Sequence, residues 1–459
     1  MNANPQAAYW RSSGAGSRPL QGQQGAQHRA LIEASILLMN SRDGSQRYAD
    51  ELLRGLHSLI NTPEYPWQID VHLGARQIMG LDAFIDNVLD RPDDTGKDDS
   101  QSAESTALLR LKSRVFNTLL GILPDGVVAM LQQWNRSLQS IVWSRTKPID
   151  YSAYDLVHLT LPQFYHTLAD CDVKLLSTVF DLSHVHYPEF HMRNNILCTE
   201  KGLAHARGKK ASFIAISEAT RQDFLAQYPD FDEKAIHTIH CGSDTQTFRP
   251  VTNELALQDA KERYNLPDEP FFLSLSTLEP RKNLINSIRA FLYLLETEPD
   301  LDVCFVIAGR AGWKFDEIFD AAQAQRDRIV FTGFIDDDDL AAVYSSALAL
   351  SYVSYYEGFG LPPLEAMSCG TPVIYGDNSS MPEVVAGGGL PADPDDIEGI
   401  ARQFSALARD PALRDTLAAR ALAQADTFSW ETMARATLDI YADTVGAYLP
   451  DTQHKTQDA

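Results

Sequence analysis

YYEGFGLPPLEAMSCGTP, residues 355–372, decides more about this chain than any other stretch. It carries two carboxylates, Glu357 and Glu365, with the turn Gly358-Phe359-Gly360 and then Leu361-Pro362-Pro363 between them. A glycine-rich turn that feeds a helix is a phosphate-binding device, because free backbone N–H groups and the positive end of the helix dipole converge on one spot. Glu365 falls about a turn and a half into that helix. The two acids therefore bracket a phosphate-sized hole from two levels, which is what a sugar-nucleotide site needs. The alternative is a helix-entry and a surface carboxylate paired by chance, but the intervening glycines and prolines are costly local chemistry that such a pair does not need.

Upstream, Glu279-Pro280-Arg281-Lys282-Asn283 directly follows an apolar run at 271–276 that reads as a strand and precedes a helical segment at 284–295. Two adjacent cations at the carboxyl end of a strand suit a diphosphate: Arg clamps two oxygens and Lys supplies a point charge. A solvated helix start is the plainer reading, and cations at a helix N-terminus count against it. Further apolar runs at 303–308, 329–331, 347–351 and 372–375, with helical segments between, extend a β/α alternation too apolar to face water, as in buried parallel sheets.

An earlier alternation begins with an apolar run at 30–39, a loop with Gly44 and Ser45, and a helix at 46–59 marked by Leu52, Leu53, Leu56 and Leu59. Strand, glycine-bearing loop and helix open a doubly wound domain. Gly44 and Ser45 would cradle a phosphate from that side, an ordinary turn being the alternative. Arg47 reads more simply as an exposed helix residue. Strands follow at 68–73, 156–159, 174–179 and 212–216. After 174–179 comes FDLSHVHYPE, in which Asp181, His184 and His186 lie where a ligand-facing loop belongs. An imidazole there would act as acid, base or sugar-hydroxyl partner, or be merely structural.

The fold class is thus α/β, with two doubly wound Rossmann-like domains facing an interdomain cleft. The expected boundaries are a disordered segment at 1–29, an N-terminal acceptor-side domain at 30–250, a C-terminal donor-binding domain at 251–427, a helix at 428–449 crossing back to the first domain, and a disordered tail at 450–459. Within the first domain, 82–107 is rich in Asp, Ser and Thr and reads as an acidic loop. Residues 108–147 carry six basic residues and one acid, Asp125, interleaved with apolar positions. They read either as a helical subdomain packed on its own protein or as an in-plane helix drawn to anionic lipid.

Composition narrows the classes further. With 459 residues, 44% hydrophobic and 22% charged, the chain is globular and long enough for two cores. A net charge of −23 excludes a general nucleic-acid binder. Five scattered cysteines without a CxxC pair exclude a disulfide framework and fit a reducing cytosol. No signal peptide and no spanning helix is expected, so the chain would be cytoplasmic, with peripheral contact at the inner membrane face. No GxGxxG follows either opening strand, which disfavours a dehydrogenase.

In this order the motifs resemble the retaining family-4 glycosyltransferases of GT-B fold, from about residue 31 to 449. The most specific are SLSTLEPRKNL (274–284), VIAGRAGWKF (306–315), TGFIDDDDLAAVYSSA (332–347) and EGFGLPPLEAMSCGTPVI (357–374), joined by SMPEVV (380–385) and FSWETMA (428–434). The branch is similar to bacterial mannosyltransferase-type enzymes of polysaccharide and O-antigen synthesis. The resemblance implies a nucleotide-diphosphate sugar donor, a glycan or lipid-linked acceptor, transfer with retention, and neither cofactor nor metal. It implies that Arg281 and Lys282 hold the diphosphate and Glu365 the ribose. Glu357, with Gly358, Phe359, Gly360 and Leu361, would hold donor sugar and phosphate, Gly333, Phe334 and Ile335 would lie near the base, and Ser217 would line the cleft. The sequence departs from the pattern at Phe180, where relatives carry a His before the Asp that is kept here as Asp181; His184 or His186 would supply the imidazole. The expected function is transfer of a hexose, mannose from GDP-mannose, in polysaccharide synthesis. The alternatives are a catalytically weakened GT-B subunit that binds a sugar nucleotide or a partner enzyme, and an epimerase of the same fold.

Overall fold

The computed structural model describes residues 28–38, 44–60, 62, 65–73, 78–90, 150–168, 172–310, 315–322 and 327–447. The expectations for 1–27, 91–107, 108–147 and the tail lie outside the described residues. Two compact units form. The first comprises Met1–Thr178, Lys201–Ser212 and Leu438–Ala459, and the second Val179–Glu200 and Phe213–Thr437.

The first unit holds β1 (His28–Glu33), β2 (Trp67–His72), β3 (Ile78–Gly80), β4 (Leu156–Leu159) and β5 (Lys174–Val179, whose last residue belongs to the second unit). They run in the order β3-β2-β1-β4-β5. All pairs are parallel except β2 with β3, which is antiparallel. The helix Gly44–Ile60 buries Tyr48, Leu52, Leu53, Leu56 and Leu59, the stripe that helical spacing predicts. Under the sheet, Trp67 packs edge-on to Tyr441 at 5.4 Å. His158, fully buried, is held by the Tyr441 hydroxyl at 2.9 Å and the Thr178 hydroxyl at 2.9 Å. Burial pushes that imidazole down to about 3, so it is a neutral core residue.

Two expectations are corrected here. The apolar run at 30–39 is not one strand: β1 stops at Glu33 and a 3-10 turn, Ser35–Leu38, follows, because Ser35 turns its N–H onto the Glu33 carboxylate at 3.2 Å. The start of the supposed acidic loop is helical, with Leu81–Phe84 continuing into a π-turn, Ile85–Leu89, because Leu81, Phe84, Ile85 and Val88 are buried and hold it down.

Glu33 stands beside its register partner His72, with Nδ1 3.7 Å from a carboxylate oxygen and both side chains almost wholly buried. Burial pushes the Glu33 carboxyl up to about 8, against hydrogen bonds from Ser35, and pushes His72 down to about 4. The Glu33 value is raised above its unfolded 4.5, so its contribution to stability is present in full below pH 4.5 and lost as pH rises through 8. Glu33→Gln cannot ionise. It is expected to flatten that part of the profile and to melt a few degrees above the parent at about pH 9, but not at about pH 5, in thermal denaturation.

The second unit contains β6 (Ser212–Ala215, whose first residue belongs to the first unit) paired in parallel with β7 (Ile236–Thr238). It also contains a six-stranded sheet of β8 (Phe271–Leu275), β9 (Cys304–Ala308), β10 (Ile329–Gly333), β11 (Ala349–Tyr352), β12 (Val373–Gly376) and β13 (Gly389–Ala392). The order is β10-β9-β8-β11-β12-β13, parallel throughout. Phe272, Phe291, Phe305 and Phe404 form an aromatic cluster on one face, with Phe272 and Phe404 4.7 Å apart. Strand order reverses between β8 and β11, and in such sheets ligands bind beyond the carboxyl ends of the strands flanking that point. The segments leaving β8 and β11 are those that carry Arg281-Lys282 and Glu357.

Candidate functional site

After β8 the chain makes a 3-10 turn, Pro280–Lys282, and then enters the left-handed region at Asn283 with φ 55°. Asn283 tolerates this because its buried amide donates to the carbonyls of Val353 at 3.1 Å and Pro394 at 2.7 Å. The turn is thereby fastened to the segment after β11, and Tyr355 N–H closes the contact on the Arg281 carbonyl at 3.0 Å.

The two cations are consequently inside a charge cluster. Arg281 donates to the Tyr356 carbonyl at 2.7 Å, to Glu357 at 3.2 Å and to Glu279 at 3.0 Å. Lys282 donates to Glu357 at 2.7 Å and to the Tyr352 hydroxyl at 2.8 Å. The side chains of Arg281, Lys282 and Glu357 are 17%, 11% and 8% exposed. Burial alone would raise the Glu357 carboxyl, but Lys282 and Arg281 outweigh it and hold it down at about 2. Burial, and then the neighbouring guanidinium, lower the Lys282 ammonium. Burial opposes the Arg281 charge, but Glu357, Glu279 and Asp181 raise it, so Arg281 stays charged.

The Gly-Phe-Gly turn follows. Gly360 sits at φ 106°, a conformation that glycine adopts freely, and the helix Leu361–Ser368 starts with Pro in its first turn. Ser380 spans the turn, donating to the carbonyls of Glu357 at 3.0 Å and Phe359 at 2.9 Å. Gly358 is required by a close approach: a Cβ there would stand 2.0 Å from the Phe180 carbonyl oxygen. Gly358→Ala is therefore expected to cost about 1–3 kcal/mol, read as a lowered melting temperature. Glu365, 7% exposed, accepts from the buried Tyr344 hydroxyl at 2.9 Å.

Gly333 ends β10 at φ 74° with open space around it. Phe334 is 40% exposed with the Arg310 guanidinium 4.3 Å from its ring centroid, whereas Ile335 is buried in the core. A flat exposed ring beside a cation suits a stacked base.

Asp181 accepts from Ser183, N–H at 2.9 Å and hydroxyl at 2.6 Å, and its charge bears on Arg281. The structure thus brings Asp181, Arg281, Lys282 and Glu357 together. The two histidines after it are engaged elsewhere. His184 is buried with Nε2 2.8 Å from Glu200, a carboxylate shared with the Tyr228 hydroxyl. His186 stacks on Tyr356 at 5.4 Å, with Nε2 3.5 Å from Asp223, which also takes the Tyr356 hydroxyl. Ser217 is fully buried and caps the helix Glu218–Gln227. Gly44 and Ser45 begin the helix Gly44–Ile60 of the first unit. Sequence reasoning passed over Glu279, Tyr352, Ser380 and Arg310. Glu279, Arg310 and Ser380 stood in quoted motifs, whereas Tyr352 carried no local signal. Among the described residues no group of three or more His, Cys, Asp or Glu is placed to hold a metal, and no helix is long and apolar enough to cross a membrane.

Residues 258–424 match the family model of glycosyl transferases group 1. That span includes Arg281, Lys282, Gly333–Ile335, Glu357–Leu361 and Glu365 but not 180–191. The O-antigen chain mannosyltransferase B of Escherichia coli is 32% identical over 285 residues, 61% of this chain and 72% of that protein. A serotype-specific mannosyltransferase of the same organism is 31% identical over 231 residues, 50% of this chain but only 28% of the longer relative. Among solved structures, sucrose-phosphate synthase from Thermosynechococcus elongatus superposes with a TM-score of 0.59 at 19% identity, over 92% of this chain and all of that one. WaaG, a glycosyltransferase involved in lipopolysaccharide biosynthesis, gives 0.56 at 14% identity over 90% and 99% of the two chains. At these identities the structures establish the fold alone, and it is the GT-B class.

Proposed function

Since this chain belongs to the group 1 glycosyl transferases and is a glycosyltransferase, we propose that it moves a hexose, mannose from GDP-mannose, onto a glycan or lipid-linked acceptor in polysaccharide synthesis, with retention at the anomeric carbon. The observation that carries the donor site is the Arg281–Lys282–Glu357 cluster at the strand-order reversal, next to the Gly358–Gly360 turn. The mannose and O-antigen parts draw support from the names of the two Escherichia coli relatives.

In this reading the cations meet the diphosphate and stabilise the charge that grows on it as the bond to the sugar breaks. The bond from the anomeric carbon to the phosphate oxygen opens, the acceptor oxygen bonds to that carbon, and its proton passes to the leaving diphosphate. Glu357, held ionised by its two cations, offers carboxylate oxygens to the sugar hydroxyls. Glu365, oriented by Tyr344, takes the ribose, and Phe334 with Arg310 receives the base. Glu357 and Glu279 hold Arg281 in place, and the charge of Asp181 adds to theirs on the guanidinium.

A weakened, donor-binding subunit rests on Phe180 alone, whereas the cluster around Glu357 is complete. A thermal-shift screen with GDP-mannose, UDP-glucose and UDP-GlcNAc tests the donor. A ligand that binds only the folded protein raises its stability as ln(1 + [L]/Kd), so GDP-mannose should give the largest shift. A larger shift with a uridine nucleotide would overturn the mannose assignment, and no shift with any of them the whole reading.

A further inference from the structure

We propose that Glu383 is a positioning residue for sugar transfer: its carboxylate pins the segment whose serines hold Glu357 and the Gly358–Gly360 turn in the orientation the reaction requires. This rests on the reading of the Arg281–Lys282–Glu357 cluster as the donor site. Glu383 lies on the short helix Met381–Val385, just after Ser379 and Ser380.

The pin is set into the first turn of the helix Glu218–Gln227. A helix leaves its first N–H groups without intrahelical partners. Ser217 takes that of Thr220 at 3.0 Å. Glu383, distant in sequence, takes two more: Oε1 accepts from Glu218 at 2.7 Å and Oε2 from Ala219 at 3.2 Å. The positive end of the helix dipole favours a carboxylate there. His240 Nε2 hydrogen-bonds to the same Oε1. Burial works to raise the Glu383 carboxyl, but His240 and the two N–H groups outweigh it and hold it below its ordinary value, so it stays ionised. With both oxygens engaged inside the fold, Glu383 fastens one element to another and does not itself meet a ligand.

What it fastens is the donor turn. Ser379 Oγ accepts the N–H of Glu357 at 3.0 Å, and Ser380 donates to the Glu357 and Phe359 carbonyls. Ser379 sits at φ 46°, a left-handed conformation that a residue with a side chain holds only where its surroundings impose it. Glu383, four residues on, supplies part of that constraint. A second route runs through His240, whose ring packs at 6.0 Å from Phe359 and 5.5 Å from Phe428. A third is direct: the Thr220 hydroxyl lies 3.4 Å from the Gly358 carbonyl oxygen. Arg281 and Lys282 stand apart from all three, because their own turn is anchored by Asn283. Loss of Glu383 therefore loosens Glu357 and the glycine turn while leaving the two cations placed for a diphosphate.

The test measures kcat for whichever of GDP-mannose, UDP-glucose or UDP-GlcNAc the parent consumes, beside calorimetric Kd and stoichiometry for the matching nucleoside diphosphate. Glu383→Ala should lower kcat roughly 10- to 100-fold, with nucleoside-diphosphate affinity within about threefold and stoichiometry near one. Glu383→Gln, isosteric and still offering one acceptor oxygen, should lose roughly 3- to 10-fold, and it carries the same comparison should the alanine variant fail to fold. In a Ser380→Ala background the further loss from Glu383→Ala should shrink at least about threefold, because one link it acts through is already cut. Phe404→Leu, in the aromatic core, should lower the melting temperature without the loss in kcat. The proposal is overturned if both Glu383 variants turn over donor like the parent, if nucleoside-diphosphate affinity falls as far as kcat, if the loss is undiminished beside Ser380→Ala, or if Phe404→Leu loses as much turnover. Failure of the underlying site reading shows separately, as unchanged nucleoside-diphosphate affinity in Lys282→Ala.

Discussion

Lys282→Ala is expected to bind a nucleoside diphosphate roughly 30- to 150-fold more weakly than the parent, a loss of about 2–3 kcal/mol, and to lose donor turnover with it. The ammonium is almost buried and donates to Glu357 at 2.7 Å and to Tyr352 at 2.8 Å. An ammonium has three N–H donors, so these two contacts leave one for a phosphate oxygen. Removing it takes a cation from the diphosphate and at the same time leaves Arg281 as the cation against Glu357. The carboxyl should therefore rise from about 2 toward the ordinary 4.5. Because its folded value is depressed, Glu357 contributes stability above pH 4.5 that is lost as pH falls toward 2. Lys282→Ala should thus lose that contribution at neutral pH and show a flatter acid profile, its melting temperature falling below the parent's at about pH 7 and approaching it toward about pH 3. Unchanged calorimetric affinity for GDP and UDP would remove Lys282 from the site.

Glu357→Gln is expected to act in the opposite sense on binding while being as damaging to turnover. Arg281 and Lys282 are matched by Glu357 and Glu279. The isosteric amide leaves one positive charge uncompensated in a nearly buried place, which favours an incoming diphosphate. Affinity for GDP or UDP should hold or rise. Sugar transfer should fall roughly 100- to 1,000-fold, because the amide replaces one carboxylate oxygen by a donor and no longer complements the charge that develops on the sugar. A variant that binds the nucleoside diphosphate more weakly than the parent would show that Glu357 builds the site rather than serving the sugar. Two neighbouring substitutions with opposite signs on nucleotide affinity are hard to obtain from general damage to the fold.

The strands were legible where they were buried on both faces. β4 and β5 are read to the residue, at 156–159 and 174–179, because Leu156-Val157 and Leu175-Leu176 seed short runs rich in apolar and β-branched residues. β3, β7 and β13 were missed: each is three or four residues long and part-exposed or broken by Gly and Pro. The run at 30–39 misled because composition does not show that Ser35 folds back on the carboxylate of Glu33.

The site was legible in its parts and not in its wiring. Arg281-Lys282 and Glu357 announced themselves through strand ends and glycines. That Glu357 occupies both cations depends on a contact between positions 75 and 76 residues apart, which no local pattern encodes. His184 and His186 drew notice as a pair near Asp181, and their partners Glu200 and Asp223 lie 16 and more residues onward.

The central claim is that this cluster is the donor site of a sugar transferase. Its most direct test is the release of nucleoside diphosphate from GDP-mannose by the parent and by Lys282→Ala, measured side by side with polysaccharide or lipid-linked acceptor present. The account predicts GDP release matched by sugar appearing on the acceptor, and its loss in the variant. GDP release that is equal in both proteins, or a free epimerised sugar nucleotide in place of a glycosylated acceptor, would contradict it.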